Sequence, residues 1–143
     1  MLIKTLLENT SVSEDFGTEH GLSLYIETNK HKILFDVGAS DLFLQNAKKL
    51  GVDIADVDFL VISHGHNDHG GGLKTFLKEN SKAEVFLHRL AFGKYYVARR
   101  DDEADFIGLD EELKQNKQLV FTSDRFFISS GIQLFSNVVQ KGP

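Results

Sequence analysis

The feature that most constrains this chain is a run of six residues, His64-Gly65-His66-Asn67-Asp68-His69, which contains three of its six histidines. An apolar run of strand length, Val57 to Ile62, precedes the histidines, and three glycines follow them. Beyond the glycines, Leu73, Phe76 and Leu77 have the i, i+3, i+4 spacing of a helix. The histidines are therefore predicted to lie where a buried strand turns into a helix.

The order of apolar patterns around this junction predicts an α/β protein. Val57 to Ile62, the following helix and Val85 to His88 form a strand, helix, strand unit with a parallel strand pair. A helix is predicted from Asp41 to Leu50, with Ser40 as its N-cap and Gly51 just past its end. Further strands are predicted at 2–7, 22–28, 32–36, 119–122, 126–128 and 132–135, helical structure at 111–116, and a polar, irregular segment at 93–109.

Composition excludes several classes of function. The net charge is −5, and acidic and basic residues are mixed along the chain, so a nucleic-acid-binding surface is not expected. No apolar stretch approaches a membrane span, and the N-terminus lacks a signal-peptide layout, so we expect no membrane partner and a cytoplasmic location. The chain has no cysteine, so any metal must be held by histidine and carboxylate groups.

The spacing within the histidine run predicts a metal site. In an extended loop alternate residues point the same way, so His64 and His66 can face one ion, while Asp68 and His69 can face a second. Imidazole and carboxylate suit zinc above all, with manganese, iron or magnesium as further options. Two such ions would generate a hydroxide that hydrolyses a small-molecule substrate, with Asp68 both binding metal and accepting a proton.

These residues also carry a family resemblance. HGHNDH after an apolar strand resembles the HxHxDH signature of the metallo-β-lactamase fold superfamily. The flanking segments Glu19 to Thr28, Ile33 to Ser40 and Val57 to Leu73 resemble the branch that includes the dihydropterin-linked ribofuranosylaminobenzene phosphate synthases and related metal-dependent hydrolases. The resemblance implies that His64 and His66 bind the first metal, that Asp68 and His69 bind the second, and that Asp36 supports the site.

The same resemblance implies an αββα sandwich, of which this length accounts for about half. Complete members carry later ligands in a second half, and nothing after His88 supplies them. We therefore expect residues 1–143 to form one partial domain, the N-terminal half, with a mixed sheet and helices on one face. The other sheet face would be bare and would favour a homo-oligomer or the missing half as its partner.

Three functions follow as hypotheses. The first is a metal-dependent hydrolase that cleaves an ester, phosphoester or related bond with a metal-bound hydroxide. The second is a non-catalytic truncated or oligomerising fragment, which would leave the chain without enzymatic activity. The third is redox chemistry at a single iron on the same fold.

Several polar residues outside the motif are left without an assigned role. His20 is either a substrate contact or a loop residue, and His88 is more simply a satisfied histidine at the sheet edge. His31, in a predicted hairpin loop, is expected to be exposed to solvent. Tyr95-Tyr96 and Arg99-Arg100 are interpreted as part of a solvated loop rather than as site residues.

Overall fold

The computed structural model describes residues 1–136 of the chain. Its strands are β1 Leu2–Leu7, β2 Ser23–Glu27, β3 Lys32–Phe35, β4 Phe59–Val61, β5 Glu84–His88, β6 Tyr96–Ala98, β7 Ala104–Phe106, β8 Leu119–Thr122, β9 Arg125–Ser129 and β10 Ile132–Phe135. Its α-helices are α1 Leu42–Lys49, α2 Asn67–Gly70 and α3 Leu73–Glu79, and 3-10 helices cover Ile54–Asp56, Arg100–Asp102 and Glu111–Gln115.

A six-stranded mixed sheet in the order β1-β2-β3-β4-β5-β8 forms the centre of the fold. β1, β2 and β3 pair antiparallel, while β3, β4, β5 and β8 run parallel. The parallel pair β4 and β5, connected through α2 and α3, confirms the predicted strand, helix, strand unit. The mixed sheet with few helices also confirms the predicted α/β class.

The main core lies between the sheet and the two longer helices. Side chains alternate along a strand, so Leu34, Leu60 and Val85 point to one face, where they are fully buried. Phe43 of α1 and Phe76 of α3 are fully buried in the same cluster. Burial of a large apolar side chain contributes roughly 1.5–3 kcal/mol, so this face supplies much of the stability of the fold.

The opposite sheet face is partly covered by the hairpin of β9 and β10, which form a separate two-stranded sheet. Phe126 of the hairpin lies with its ring centroid 5.6 Å from that of Phe86 in β5. The expectation of a bare face is therefore wrong in part, because the hairpin folds back over it. Phe127 and Phe135 of the same hairpin remain 62% and 69% exposed.

Three local expectations also differ from the structure. Segment 93–109 is not wholly irregular, because β6 and β7 form a short antiparallel pair within it. Helix α1 has Asp41 rather than Ser40 at its N-cap, although the Ser40 hydroxyl accepts a hydrogen bond from the Leu42 amide at 3.2 Å. His31 is half-buried rather than exposed, since its ring lies 4.9 Å from that of Phe59.

The parallel strands bring the polar residues of interest to one edge of the sheet. Asp36 follows β3, the histidine run follows β4, His88 ends β5, and Asp124 follows β8. The carboxyl ends of parallel strands are where α/β proteins place their sites. Across the described residues, none of the helices has both the length and the apolar character needed to cross a membrane.

Candidate metal centre

The histidine run is held in place by backbone hydrogen bonds on both sides. His66 is the N-cap of α2, and its carbonyl accepts hydrogen bonds from the amides of His69 and Gly70 at 3.1 and 3.0 Å. The His69 carbonyl in turn accepts the Val37 amide at 2.8 Å. Asp68 and His69 are thus fixed within the first turn of α2, next to the loop that follows β3.

Gly65 allows the run to pass against the segment that follows β5. A Cβ atom at position 65 would lie 1.9 Å from the Ala91 carbonyl oxygen and 2.9 Å from Cε2 of Tyr95. Only glycine fits this close approach of two backbones. The contact brings the ring of Tyr95 next to that of His66, with the two centroids 5.4 Å apart.

Three side chains of the run converge on one point. Ligand atoms of His64, Asp68 and His69 lie within 4.8 Å of one another. His64 is exposed, whereas Asp68 and His69 are half-buried. A catalytic metal needs about three protein ligands and an open position, and this group offers that number from one exposed face.

Asp36 is the buried carboxylate behind this group. Its side chain is fully buried, and it accepts hydrogen bonds from the Ser63 amide at 2.7 Å, the Ser63 hydroxyl at 2.6 Å and Nδ1 of His69 at 2.8 Å. Its backbone has φ +58°, a left-handed conformation that aspartate tolerates better than most residues. All of its contacts lead to the histidine run.

These hydrogen bonds fix the tautomers of two histidines. Asp36 can only accept, so Nδ1 of His69 carries the proton and its Nε2 keeps a free lone pair. The Ser63 hydroxyl gives its single proton to Asp36, so it accepts from Nδ1 of His64 at 2.8 Å. Nε2 of His64 therefore also keeps its lone pair, and one buried carboxylate fixes the tautomer of both imidazoles.

The electrostatics favour the same state of His64. Desolvation within the cluster lowers the pKa of its imidazole, and a positive charge on the neighbouring His69 or His66 would lower it further by repulsion. A neutral imidazole is the form that binds a metal ion. His64 is thus held ready to act as a ligand at neutral pH.

His66 lies beside this group rather than within it. Its ring centroid is 4.8 Å from that of His64 and 5.4 Å from that of Tyr95, both in edge-to-face arrangements. The expected pairing of His64 with His66 differs from the observed grouping of His64 with Asp68 and His69. The assignment of individual ligands to a first and a second ion stays a prediction.

His88 and Asp124 form a second histidine–carboxylate pair at the same sheet edge. Nε2 of His88 lies 2.8 Å from Oδ1 of Asp124, which also accepts the Ser136 hydroxyl at 3.0 Å. Nδ1 of His88 accepts the Leu90 amide at 3.2 Å, so both of its ring nitrogens are satisfied within the protein. His88 and His64 border a common cavity of about 270 Å³.

Two neighbours of the site were not identified from the sequence. Tyr95 was interpreted as part of a solvated loop, yet it is half-buried against His66, and its hydroxyl donates to the Leu90 carbonyl at 2.7 Å. His20, left open above, lies with Nε2 3.1 Å from Oδ2 of Asp68. Neither contact has a local sequence signal, because each joins segments that are distant along the chain.

The donor set fits a divalent cation. Two imidazole lone pairs and one carboxylate suit zinc, iron or manganese, and the buried Asp36 supplies the outer hydrogen bond that metal-binding histidines usually have. His64 of this group also borders the cavity of about 270 Å³, which leaves space for water and for a substrate beside it.

The chain is similar to known proteins over most of its length. The family model described as the metallo-beta-lactamase superfamily matches residues 16–126. The uncharacterised protein MJ0448 of Methanocaldococcus jannaschii is 32% identical over 99% of this chain and 52% of its own length. The 7,8-dihydropterin-6-methyl-4-(beta-D-ribofuranosyl)-aminobenzene-5'-phosphate synthase of the same organism is 37% identical over 60% of this chain and 32% of its own length.

Among solved structures, Tm1679, described as a metal-dependent hydrolase of the beta-lactamase superfamily, superposes with a TM-score of 0.71 at 34% identity. The match covers 92% of this chain and 46% of Tm1679. The chain thus spans about half the length of MJ0448 and of Tm1679. The family model, the long alignment to MJ0448 and the shared fold together show that this chain belongs to the metallo-beta-lactamase superfamily.

Proposed function

We propose that His64, Asp68 and His69, with His66 beside them, bind divalent metal and that the site hydrolyses an ester, phosphoester or related bond. One observation carries this proposal: a single buried carboxylate, Asp36, holds the ring protons of two histidines on Nδ1, directly for His69 and through Ser63 for His64. Both histidines belong to a group whose ligand atoms lie within 4.8 Å of one another. In a surface turn that is rich in histidine by chance, we would not expect hydrogen bonds to a buried carboxylate to fix the tautomers of two histidines.

The cation, the Asp68 carboxylate and the adjoining cavity would have different roles in such a site. A bound divalent cation would supply Lewis acidity and make water more acidic. Asp68 is the carboxylate of the group, and we assign it the role of accepting a proton from an attacking water. The adjoining cavity of about 270 Å³, bordered by Leu90, Ala91 and Tyr95, is where we expect the reacting part of a small-molecule substrate.

The relatives support the hydrolase class more than any particular substrate. Tm1679 is described as a metal-dependent hydrolase, whereas the Methanocaldococcus relative is named a synthase. We propose zinc as the native metal because imidazole and carboxylate ligands suit it best. Elemental analysis of protein purified without added metal tests this choice, and stoichiometric iron would favour the redox hypothesis instead.

Calorimetric titration with Zn²⁺ tests the metal site. The chain should bind at least one equivalent, and His69→Ala should abolish this binding because it removes both a ligand and the partner of Asp36. His31→Ala, which removes a histidine of the β2–β3 hairpin, should bind like the unsubstituted chain. Failure of the unsubstituted chain to bind Zn²⁺, Mn²⁺ or Co²⁺ would refute the proposal.

Hydrolysis is tested with p-nitrophenyl acetate and bis(p-nitrophenyl) phosphate as generic ester and phosphodiester substrates. The metal-loaded chain should release p-nitrophenol, and Asp68→Ala should lose this activity together with metal. Turnover that persists after chelation of all metal would contradict the assignment.

A second candidate function is metal binding without turnover. It rests on the group of His64, Asp68 and His69, which is sufficient to hold an ion whether or not a substrate is turned over. Stoichiometric metal binding with no release of p-nitrophenol from either substrate would support this candidate over the hydrolase.

A further inference from the structure

His20 lies at the edge of the metal group although it is far from the histidine run in sequence. Its Nε2 is 3.1 Å from Oδ2 of Asp68, the same oxygen that lies 3.6 Å from Nε2 of His69. The side chain of His20 is 79% exposed, whereas that of Asp68 is 21% exposed. An exposed pair of this kind is usually weak, so its importance depends on what holds His20 in place.

Asn9 holds the imidazole of His20 in a defined orientation. Oδ1 of Asn9 accepts the Gly21 amide at 3.0 Å, which fixes the direction of the Asn9 amide group. Its Nδ2 therefore faces Nδ1 of His20, at 3.0 Å, as a donor. Because Nδ1 of His20 accepts, the proton of the neutral imidazole lies on Nε2, the ring nitrogen that is 3.1 Å from Oδ2 of Asp68.

Gly21 fixes the distance between this loop and Asp68. It has φ +146°, in the region that favours glycine, and a Cβ atom there would lie 2.2 Å from the Asp68 carbonyl oxygen. The backbone of the loop is thus in direct contact with the backbone of Asp68. Leu22, the next residue, accepts the Gly38 amide through its carbonyl at 3.0 Å, which connects the loop to the segment after Asp36.

The three imidazoles around Asp68 are therefore of two kinds. His64 and His69 present lone pairs toward the shared space, because Asp36 and Ser63 hold their protons on Nδ1. His20 presents an N–H, because Asn9 occupies its Nδ1. A protonated ring nitrogen cannot bind a cation, but it can orient a carboxylate that does.

We propose that His20 is a positioning residue that donates a hydrogen bond to Asp68 and so orients its carboxylate for metal, without binding the metal itself. This inference rests on the proposed function in that it takes Asp68 as a ligand. It assigns to the contacts of Asn9, His20 and Gly21 a role at Asp68 that is separate from the role of Asp36 at His64 and His69.

Long-range ¹H–¹⁵N correlation of the metal-free chain tests the tautomer directly, with the His20 signals assigned by their loss in His20→Phe. Nε2 of His20 should appear protonated and Nδ1 unprotonated. In Asn9→Leu, which lacks the amide donor, the signals should shift toward a mixture of both tautomers. A His20 ring with its proton on Nδ1 in the unsubstituted chain would overturn the proposal.

Titration with Co²⁺, followed by its visible absorption, tests the effect on metal. His20→Phe should weaken binding by about 10-fold or more, the usual result of losing an outer hydrogen bond to a ligand. His20→Gln should restore most of the affinity, because its amide can donate to Asp68. The matched control His31→Phe should bind Co²⁺ like the unsubstituted chain.

The spectrum at saturating Co²⁺ separates positioning from ligation. It should be the same in His20→Phe and in the unsubstituted chain, because the set of ligands does not change. A changed spectrum would show that His20 is a ligand, and an unchanged affinity would show that it is only a loop residue; either result overturns the proposal. Absence of Co²⁺ binding by the unsubstituted chain would instead refute the proposed function, while the tautomer measurement would still decide whether His20 donates to Asp68.

Discussion

Two histidine–carboxylate pairs lie at the same edge of the sheet with the same separation of 2.8 Å, and they differ in almost everything else. Asp36 is fully buried and accepts three hydrogen bonds, all from the histidine run or from Ser63 beside it. The side chain of Asp124 is 52% exposed and lies between His88 and the hydroxyl of Ser136. The histidine–carboxylate distance alone therefore does not show which pair supports the proposed metal site. The burial of the carboxylate and the residues that its other hydrogen bonds reach do distinguish the two pairs.

Replacing Asp36 should have the largest effect. Asp36→Ala removes a fully buried carboxylate and leaves two donors of Ser63 and one of His69 without their acceptor, so we expect a loss of roughly 3 kcal/mol in the free energy of unfolding. Urea unfolding monitored by circular dichroism measures this change. The matched variant Asp124→Ala should unfold at nearly the same urea concentration as the unsubstituted chain, and equal losses in the two variants would erase the distinction between the pairs.

Asp36→Asn should separate the role of the carboxylate in folding from its role in metal binding. Asparagine tolerates the left-handed backbone, and its carbonyl can still accept the Ser63 amide. Its amide group cannot accept from Nδ1 of His69, so the fixed tautomer should be lost. We expect Zn²⁺ affinity to fall by about 10- to 100-fold, with a smaller loss of stability than in Asp36→Ala. Asp124→Asn should bind Zn²⁺ like the unsubstituted chain in the same calorimetric titration.

Ser63→Ala should have an intermediate effect. It removes the hydroxyl that connects Asp36 to Nδ1 of His64 but leaves the direct bond from Asp36 to His69. We therefore expect a loss of Zn²⁺ affinity of about 10-fold, at the lower end of the range for outer contacts of metal ligands. A loss as large as that of Asp36→Asn would mean that His64, rather than His69, depends most on the carboxylate.

Replacing Asp124 of the exposed His88–Asp124 pair should have the smallest effect, a change in how stability depends on pH. Hydrogen bonds from His88 and Ser136 hold the pKa of Asp124 below its usual range. A lowered carboxyl pKa adds stability above the pKa of the unfolded chain, and this contribution disappears as the pH falls through the folded value. The melting temperature of Asp124→Asn should thus be slightly below that of the unsubstituted chain at neutral pH, and the difference should vanish in acid. NMR titration should give Asp124 a lower pKa than that of an exposed aspartate.

The contiguous parts of the site could be predicted from the sequence. The histidines are adjacent along the chain, the strand before them is a continuous apolar run, and Gly51 ends α1 with φ +71° as its position indicated. Local patterns of this kind depend on residues within one turn or one strand of each other. These patterns predict the parallel β4–β5 unit and place the histidine run at the end of β4, as the structure has them.

The remaining features depend on contacts between distant segments. The burial of Asp36 follows from the parallel register of Phe35 with Val61, which sets the end of β3 beside the end of β4. Tyr95 reaches His66 only because Gly65 lets the two backbones approach. The hairpin of β9 and β10 covers Phe86 of β5, although β8 lies between β5 and the hairpin along the chain. No local periodicity carries information about any of these three contacts.

The left-handed backbone at Asp36 also restricts how the site can change through mutation. Most residues are disfavoured at φ +58°, but asparagine is not, and it is reached from either aspartate codon by one base change. A single transition would therefore weaken the proposed metal site while the chain stays folded. Libraries screened for abundance alone would keep such variants, whereas a screen that reports retention of the cation would discard them.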